Sequence, residues 1–434
     1  MICITFIASQ RGIRFKYRCA GNMLPREAKQ NLTFNERGNP IMRSNRYCCV
    51  LWALALGFGG TVWAQAEIKV GLLYPLSGVY AAPGKQGVEG ATLAFEQAGS
   101  KIGGHKITLI TEDTELQPNV ALAKAKKLVE SDRVQLLMGI IWSPNAMALR
   151  AYVHENKIPF VTDAAVRPLT QEAGSPYIFR SVFSSGQLTH PFGTYACGKL
   201  GYRKFVVIAF ESVFGREEAD YFEGGCKQAG GAVLEKIYAP IQTADFAPYF
   251  ARIQQANPNA VLGIWSGAAA LRFLKQYSDF GMKQKYPLLT FGSTTDESFL
   301  STAGAAAQGV ISYLHYSPAI DSPENNRFKE AYRKRFGYEA GWSASNGYIT
   351  ARTIVEAAKA VNGDLSDTGR FLAALKAVKF DTPAGNFRFD DHQSGVKNLY
   401  IRRVQPGPGG KLQNTVIDVV EGVEQYWPKG KPAK

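Results

Sequence analysis

Few residues in this chain of 434 amino acids have the types and spacing that catalysis requires. The segment 193–200 reads Gly-Thr-Tyr-Ala-Cys-Gly-Lys-Leu, which differs from a phosphate-binding loop at its last position, where Leu200 replaces the Ser or Thr that binds Mg²⁺. No strand leads directly into it, so we interpret the match as coincidence. The chain has no G-x-S-x-G, H-E-x-x-H or G-x-G-x-x-G motif, and its five histidines lack metal-ligand spacing. We therefore predict no catalytic residue, no metal and no cofactor.

One loop has the pattern of an anion-binding site. Residues 139–145 read Gly-Ile-Ile-Trp-Ser-Pro-Asn, follow an apolar run and open a helical pattern. A helix N-terminus carries unpaired N–H groups and partial positive charge, which suit a carboxylate. Ser143 followed by Pro144 is also an ordinary N-cap arrangement, and the two roles are compatible.

Short apolar runs alternate with amphipathic segments from Ile68 onward. The runs are nearly continuous, as is typical of strands buried on both faces of a parallel sheet. They are Ile68–Leu73, Lys106–Ile110, Val134–Ile141, Pro159–Thr162, Phe205–Phe210, Val261–Ile264 and Leu288–Phe291. Between them, apolar stripes within 88–98 and 246–253 predict helices, the second capped by Asp245. The alternation predicts an α/β fold.

The strands are too numerous for one ordinary doubly wound sheet, and their order restarts after an extended segment at Ile178–Val182. We therefore predict two α/β lobes with a cleft between them. Because open parallel sheets bind ligands beyond the carboxyl ends of their strands, those ends of both lobes should face the cleft.

Residues 42–66 have the features of a signal peptide. Arg43 and Arg46 precede an apolar core at Val50–Phe58, which is much shorter than a membrane span, and Ala64-Gln65-Ala66 is an A-x-A cleavage site. We predict cleavage after Ala66. We interpret residues 1–41 as a non-native upstream extension before a natural start at Met42.

The mature chain has a modest charge and two cysteines. Half of the net charge of +14 falls in residues 1–66, and the surplus left for the other residues is too small for nucleic-acid binding. Cys197 and Cys226 remain after processing, near the ends of two successive predicted helices. In an oxidising compartment they could form a disulfide, which the sequence alone leaves open.

The order of these elements resembles a known family. Ile68–Tyr74 is followed by Pro75-Leu76-Ser77-Gly78, then by Gly84, Gly90-Ala91, Ile102–Ile107, Glu112-Asp113 and 123–132 leading into Val134 and Gly139. This succession is similar to the leucine/isoleucine/valine-binding family of periplasmic ABC-transporter receptors, with the type I periplasmic binding fold. The resemblance covers 67 to about 405.

The resemblance implies two doubly wound parallel-sheet lobes joined by a three-crossing hinge, which close on a ligand without transforming it. Lobe one would be 67–182 with 315–395, and lobe two 183–314 with 396–434, including the strand Asn398–Val404. The protein would be exported to the periplasm, bind an amino acid or a small carboxylic acid, aromatic or not, and deliver it to the transmembrane subunits of an ABC permease. The alternatives are a periplasmic sensor of the same fold and a secreted α/β hydrolase; the hydrolase would need a nucleophile elbow, which is absent.

The resemblance also suggests ligand-binding residues. Ser143 matches the position that holds the ligand's carboxylate, with Trp142 and Asn145 beside it. The loop Asp163–Arg167 matches one that supplies a carbonyl and a hydroxyl, so Ala165, Val166 and Arg167 are candidates. Val166 occupies the hydroxyl position, and Arg167 could clamp a carboxylate or lie on the surface. The candidates from lobe two are Phe214 as an aromatic lid, Ser266 beside Gly267 near the ligand's amino group, and Ser293. Trp265 is either a cavity wall or core.

One departure from the family bears on the ligand. Amino-acid binders place an acidic residue near 292–295, whereas this chain has Ser293 and Thr294. An unpaired ammonium in a water-poor cleft costs several kcal/mol. A ligand with a carboxylate and no ammonium, such as an aromatic acid, therefore fits better, although Asp296 or Asp163 could supply the charge.

Overall fold

The computed structural model describes the backbone of residues 3–9 and 12–18, and residues 67–172, 174–428 and 430. Cys3–Ser9 and Gly12–Arg18 pair as an antiparallel hairpin within a unit of their own, 1–63. The predicted leader, 42–66, lies outside the described residues. No helix in the described ranges is both long and apolar enough to cross a bilayer.

The first sheet has six strands in the spatial order β2-β3-β1-β4-β5-β6. All neighbours are parallel except the short β2, which is antiparallel to β3. The strands are β1 Glu67–Tyr74, β2 Lys101–Ile102, β3 His105–Asp113, β4 Leu136–Gly139, β5 Phe160–Thr162 and β6 Ile178–Arg180.

The second sheet has seven strands in the spatial order β8-β7-β9-β10-β11-β14-β15. The first five are mutually parallel, and the last two are added antiparallel. The strands are β7 Lys204–Phe210, β8 Ala232–Ala239, β9 Ala260–Ile264, β10 Leu288–Phe291, β11 Ile311–Leu314, β14 Lys397–Pro406 and β15 Leu412–Val423. A separate hairpin, β12 Lys379–Thr382 and β13 Gly385–Arg388, precedes β14.

Helices connect the parallel strands. They are α1 Ala81–Gln97, α2 Pro118–Lys126, α3 Ser143–Glu155, α4 Thr189–Gly198, α5 Val213–Gln228, α6 Ala247–Ala256, α7 Gly267–Asp279, α8 Met282–Lys285, α9 Glu297–Ala303, α10 Pro323–Phe336, α11 Trp342–Ala360 and α12 Thr368–Ala377. The α/β class and the parallel-dominated pair of sheets are thus as predicted.

Six strands were not anticipated: β2, β8, β11, β12, β13 and β15. The strands β8 and β15 lie at the two edges of the second sheet, where alternating exposure replaces a continuous apolar run. The strand β11 has only four residues, and Ser312 interrupts its apolar pattern. Edge strands and very short strands lack the continuous apolar run on which the prediction of strands rested.

The helix α11 packs tightly against α1, the helix that follows the first strand. At Gly90 a Cβ atom would lie 2.0 Å from the carbonyl oxygen of Ala344, so only glycine permits this approach. The close packing holds the beginning of α11 beside the first sheet, although the two helices are some 250 residues apart in sequence.

Cys197 on α4 and Cys226 on α5 form a disulfide, with their Cα atoms 5.1 Å apart. The two half-cystines are fully buried and lie 29 residues apart in sequence. The bond thus joins the two helices that flank β7, and it answers the question that the sequence left open.

The segment after β15 connects distant parts of the fold; we call residues 424–428 the C-terminal strap. Gln425 accepts a hydrogen bond from Thr170 at 3.1 Å and donates to Asp390 at 2.8 Å. The ring of Tyr426 stacks on His190 of α4, with 4.0 Å between the centroids. The strap therefore contacts both a loop of the first sheet and a helix of the second.

Candidate functional site

The carboxyl ends of parallel strands from both sheets surround a cavity. This is the position at which open α/β sheets bind ligands. The lining residues are Tyr80, Ile141, Trp142, Ser143, Pro144, Asp163, Ala165, Phe183, Phe210, Ser212, Phe214, Ser266, Phe291, Ser293, Trp342 and Asn346.

Six of the nine residues proposed from the sequence line this cavity. They are Trp142, Ser143, Ala165, Phe214, Ser266 and Ser293. Each follows the carboxyl end of a strand or begins the next helix. The resemblance to the family identified them, and the helix-start pattern also identified the loop that contains Ser143.

The structure does not bring Asn145, Val166 and Arg167 to the cavity. The side chain of Asn145 is fully buried within α3 and has no partner among the described residues. Val166 packs in the core behind β5. The guanidinium of Arg167 bonds to the hydroxyl of Tyr221 at 3.2 Å and pairs with Glu172 at 2.7 Å, so it connects the first-sheet loop to α5.

Two other candidates also occupy structural positions. Trp265 is fully buried in the core, with its ring 4.9 Å from that of Phe246 and 5.6 Å from that of Phe273. Asp296 accepts hydrogen bonds from the backbone of Ser298 at 3.0 Å and of Trp342 at 3.2 Å. Its carboxylate therefore stabilises the beginnings of α9 and α11.

A continuous series of aromatic rings borders the cavity; we call it the aromatic arc. Its members are Tyr80, Trp142, Phe210, Phe214, Phe291 and Phe183, and successive centroids lie 5.4, 5.6, 5.9, 5.4 and 5.6 Å apart. Such spacings are typical of favourable aromatic contacts. Sequence reasoning found Trp142 and Phe214 and missed the rest; Phe210 and Phe291 end predicted strands, a signal that would have identified them.

Four helices begin at the cavity, namely α3, α5, α7 and α11, through Ser143, Ser212, Ser266 and Trp342. We call the group of the three serines the helix-start end. No Lys or Arg is among the residues that line the cavity. Helix N-termini carry partial positive charge, so together they provide an anion-binding potential without a side-chain cation.

The serine hydroxyl groups at the cavity differ in the hydrogen bonds that they make within the protein. Contrary to expectation, Ser143 is the first residue of α3 and not its N-cap, because the carbonyl of Trp142 already accepts from Asn145 at 3.0 Å. By contrast, Ser212 accepts from the backbone of Gly215 at 3.0 Å, and Ser293 donates to the carbonyl of Trp265 at 2.7 Å.

Asp163 is the acidic residue of the cavity lining. It accepts hydrogen bonds from the hydroxyl of Tyr74 at 2.6 Å and from Thr350. Burial raises the pKa of Asp163 to about 6, opposed by these two hydrogen bonds and by the charge of Lys397. Burial lowers the pKa of Lys397 to about 7, and the negative charge of Asp163 opposes this shift. The amino group of Lys397 lies 4.5 Å from the ring centroid of Phe387.

Two buried arginines hold the loops that line the cavity. In the first sheet, Arg180 donates to the carbonyl groups of Ala164 at 3.0 Å and Val166 at 2.6 Å. In the second sheet, Arg402 donates to the carbonyl groups of Gly292 and Tyr316, both at 2.9 Å. Each guanidinium satisfies backbone acceptors that loop geometry leaves unpaired.

The two sheets meet across the cavity. Trp142, after β4, stacks on Phe210 at the end of β7. At Gly267 a Cβ atom would lie 2.2 Å from the carbonyl oxygen of Val79, and its φ of +58° is a conformation that favours glycine. The structure is therefore a closed arrangement in which both sheets contribute to one enclosed site.

Comparisons with known proteins agree with this geometry. The family model for periplasmic binding proteins matches residues 67–411. A Leu/Ile/Val-binding protein homolog of Brucella melitensis is 30% identical over 379 residues, which cover 86% of this chain and 96% of the relative. Among solved structures, an ABC transporter substrate-binding protein from Sphaerobacter thermophilus is 38% identical, with a TM-score of 0.78 over 83% of this chain and 99% of that one. A solute-binding protein from R. palustris, in complex with benzoate, is 28% identical, with a TM-score of 0.78 over 83% and 98%.

The chain therefore belongs to the periplasmic binding protein family, with the type I fold that its sequence resembles. It is the substrate-binding component of an ABC transporter, a class that binds small molecules, works with permease subunits and is located in the periplasm. The prediction of a binding protein and not an enzyme is confirmed by these relatives.

Proposed function

We propose that the protein binds one small aromatic carboxylate in the cavity between the two sheets and delivers it to its permease. The observation that carries this proposal is the combination of an aromatic arc with four helix N-termini around a cavity whose lining has no Lys or Arg. Planar rings pack favourably against such an arc, and a carboxylate suits the helix-start end. The benzoate complex of a relative supports this reading.

An α-amino acid is the weaker candidate because its ammonium needs a counter-charge close to its carboxylate. Asp296 is occupied by the backbone of two helices. Asp163 already accepts from Tyr74 and Thr350, and Lys397 lies near it. Asp296 is therefore committed to backbone groups, and Asp163 has only part of its acceptor capacity left for an ammonium.

The binding test compares benzoate with cyclohexanecarboxylate, leucine, isoleucine and valine, using thermal shift and isothermal titration calorimetry on the mature chain. We expect 1:1 binding of benzoate, weaker binding of the non-aromatic acid and little or no binding of the three amino acids. Tighter binding of leucine than of benzoate, or turnover of any ligand, would contradict the proposal.

A pair of matched variants separates binding from folding. Phe214 lines the cavity, whereas Phe250 is a buried aromatic residue of the core outside it. Phe214→Leu should weaken benzoate binding without a comparable change in stability. Phe250→Leu should lower the melting temperature and leave the dissociation constant unchanged.

We also propose that the two-lobe division, 67–182 with 315–395 and 183–314 with 396–434, describes rigid bodies that close on the ligand. The stack of Trp142 on Phe210 supports this, because it exists only when the two sheets are close. Closure should therefore change the tryptophan fluorescence on ligand addition, and Trp142→Phe should reduce that change to the part contributed by Trp342, which also lines the cavity.

We further propose that residues 42–66 are a signal peptide cleaved after Ala66. The strand β1 and the family match both begin at residue 67, which supports this boundary. N-terminal sequencing of the periplasmic protein should give Glu67 as the first residue; a mature chain that contains Cys19 would refute the proposal. Ligand uptake lost on gene deletion distinguishes a transporter component from a sensor, which no structural observation favours.

A further inference from the structure

The cavity has a second polar group, formed by Asp163 and Asn346, which we call the hinge-end pair. Both residues line the cavity, and they are 4% and 1% exposed. Thr350, which donates to Asp163, follows Asn346 by one helical turn on α11, so it lies on the same face of that helix. The hinge-end pair thus forms one polar wall of the cavity.

Asn346 contributes an unused hydrogen-bond donor to this wall. Its Oδ1 lies 2.7 Å from Nε2 of His315. Because an amide oxygen only accepts, His315 carries its proton on Nε2 and donates it to Asn346. The remaining Nδ2 of Asn346 has no partner among the described residues, which is costly for a buried N–H group unless a ligand satisfies it.

Asp163 contributes an acceptor. An ionised carboxylate offers about four acceptor sites, and the described residues fill two of them, through Tyr74 and Thr350. Since burial raises the pKa of Asp163 only to about 6, the group is ionised at pH 7.5. It therefore accepts a further proton donor from the cavity and repels an anion placed there.

The aromatic arc connects the two polar ends of the cavity. It begins at Tyr80 and Trp142, next to Ser143 of the helix-start end. It finishes at Phe183, whose ring centroid lies 5.1 Å from that of His315, the partner of Asn346. A rigid aromatic ligand aligned with the arc would present one polar group to each end.

We propose that the hinge-end pair binds a hydroxyl group on the ligand's ring, so that the substrates are aromatic carboxylates bearing a ring hydroxyl remote from the carboxylate. The inference rests on the proposed function. The hydroxyl oxygen accepts from Nδ2 of Asn346, and its proton is donated to the carboxylate of Asp163. A hydroxyl does both, whereas a methoxy group lacks the proton and a second carboxylate is repelled by Asp163.

The first test uses the unmodified mature chain and a matched ligand series. Dissociation constants for benzoate, 3- and 4-hydroxybenzoate, 4-methoxybenzoate and terephthalate are measured by calorimetry at pH 7.5. We expect one hydroxybenzoate to bind roughly 10- to 100-fold more tightly than benzoate, since a buried donor and acceptor are otherwise left unpaired. The methoxy compound should bind no better than benzoate, and terephthalate should not bind.

The second test assigns the preference to Asn346. Asn346→Leu should reduce the preference for the hydroxybenzoate over benzoate to under about threefold. The matched control is Ser345→Ala, the preceding residue on α11, which is fully buried and lies outside the cavity lining. It should retain the full preference.

The outcomes separate the two proposals. If benzoate binds as tightly as both hydroxybenzoates, or if Asn346→Leu keeps the preference, the hinge-end inference is overturned while the proposed function stands. If none of the aromatic acids binds, the proposed function fails and the inference fails with it. If Asn346→Leu does not fold, the ligand series on the unmodified chain decides alone.

Discussion

Replacing Ser143 by alanine should weaken binding of an aromatic carboxylate strongly while leaving the fold almost unchanged. The side chain is 3% exposed and lines the cavity at the first residue of α3. Its hydroxyl is therefore available to a ligand carboxylate. A hydrogen bond to a charged group contributes about 1.5 to 3 kcal/mol, which corresponds to a loss of roughly 10- to 150-fold in affinity.

Ser293 provides the matched control because it also lines the cavity but donates its proton to the carbonyl of Trp265. Ser293→Ala should cost about 1 kcal/mol of stability and change the affinity by less than about threefold. For each variant, calorimetric titration with benzoate gives the affinity and a thermal melt gives the stability. Unchanged binding by Ser143→Ala, or an equal loss in Ser293→Ala, would refute the assignment of the carboxylate to the beginning of α3.

Three further predictions concern stability and closure. Removing the disulfide with Cys197→Ala and Cys226→Ala should lower the free energy of unfolding by about 3.5 kcal/mol, as expected for a loop of this length, measured by urea denaturation. Burial raises the pKa of Glu218 to about 8, above its value in the unfolded chain, so the native state retains a proton that the unfolded state loses and stability falls as the pH rises between 4.5 and 8. The unfolding free energy of the wild type should therefore fall by about 3 kcal/mol more between pH 5 and 8 than that of Glu218→Gln. Identical pH profiles for the two proteins would contradict this. Gln425→Ala should loosen the C-terminal strap and change the ligand dissociation rate in stopped-flow fluorescence more than a substitution at the exposed Lys411.

Much of the fold and part of the site follow from local sequence. Buried parallel strands have continuous apolar runs, and residues that begin the next helix, such as Ser143 and Ser266, lie at the carboxyl ends of these strands. The lining residues Tyr80, Trp342 and Asn346 had no such signal. The last two come from a helix about 200 residues beyond Ser143, placed at the cavity by close packing at Gly90.

The misplaced candidates have a shared physical cause. Arg167 was expected either to clamp a carboxylate or to lie on the surface; it lies partly exposed outside the cavity lining, with Tyr221 and Glu172 as its partners. The carbonyl of Val166 is occupied by the buried Arg180. One sequence does not show which of several arginines becomes buried, since burial depends on carbonyl groups that only the folded loop presents.

The close approach at Gly267 has a practical consequence. Any side chain there would act as a wedge between the two halves of the molecule, because a Cβ atom would collide with the backbone of Val79. Gly267→Ala should therefore keep the two halves partly open, so that the bound ligand dissociates quickly and is exposed to solvent. Such a variant would show whether the transporter distinguishes a closed receptor from an open one.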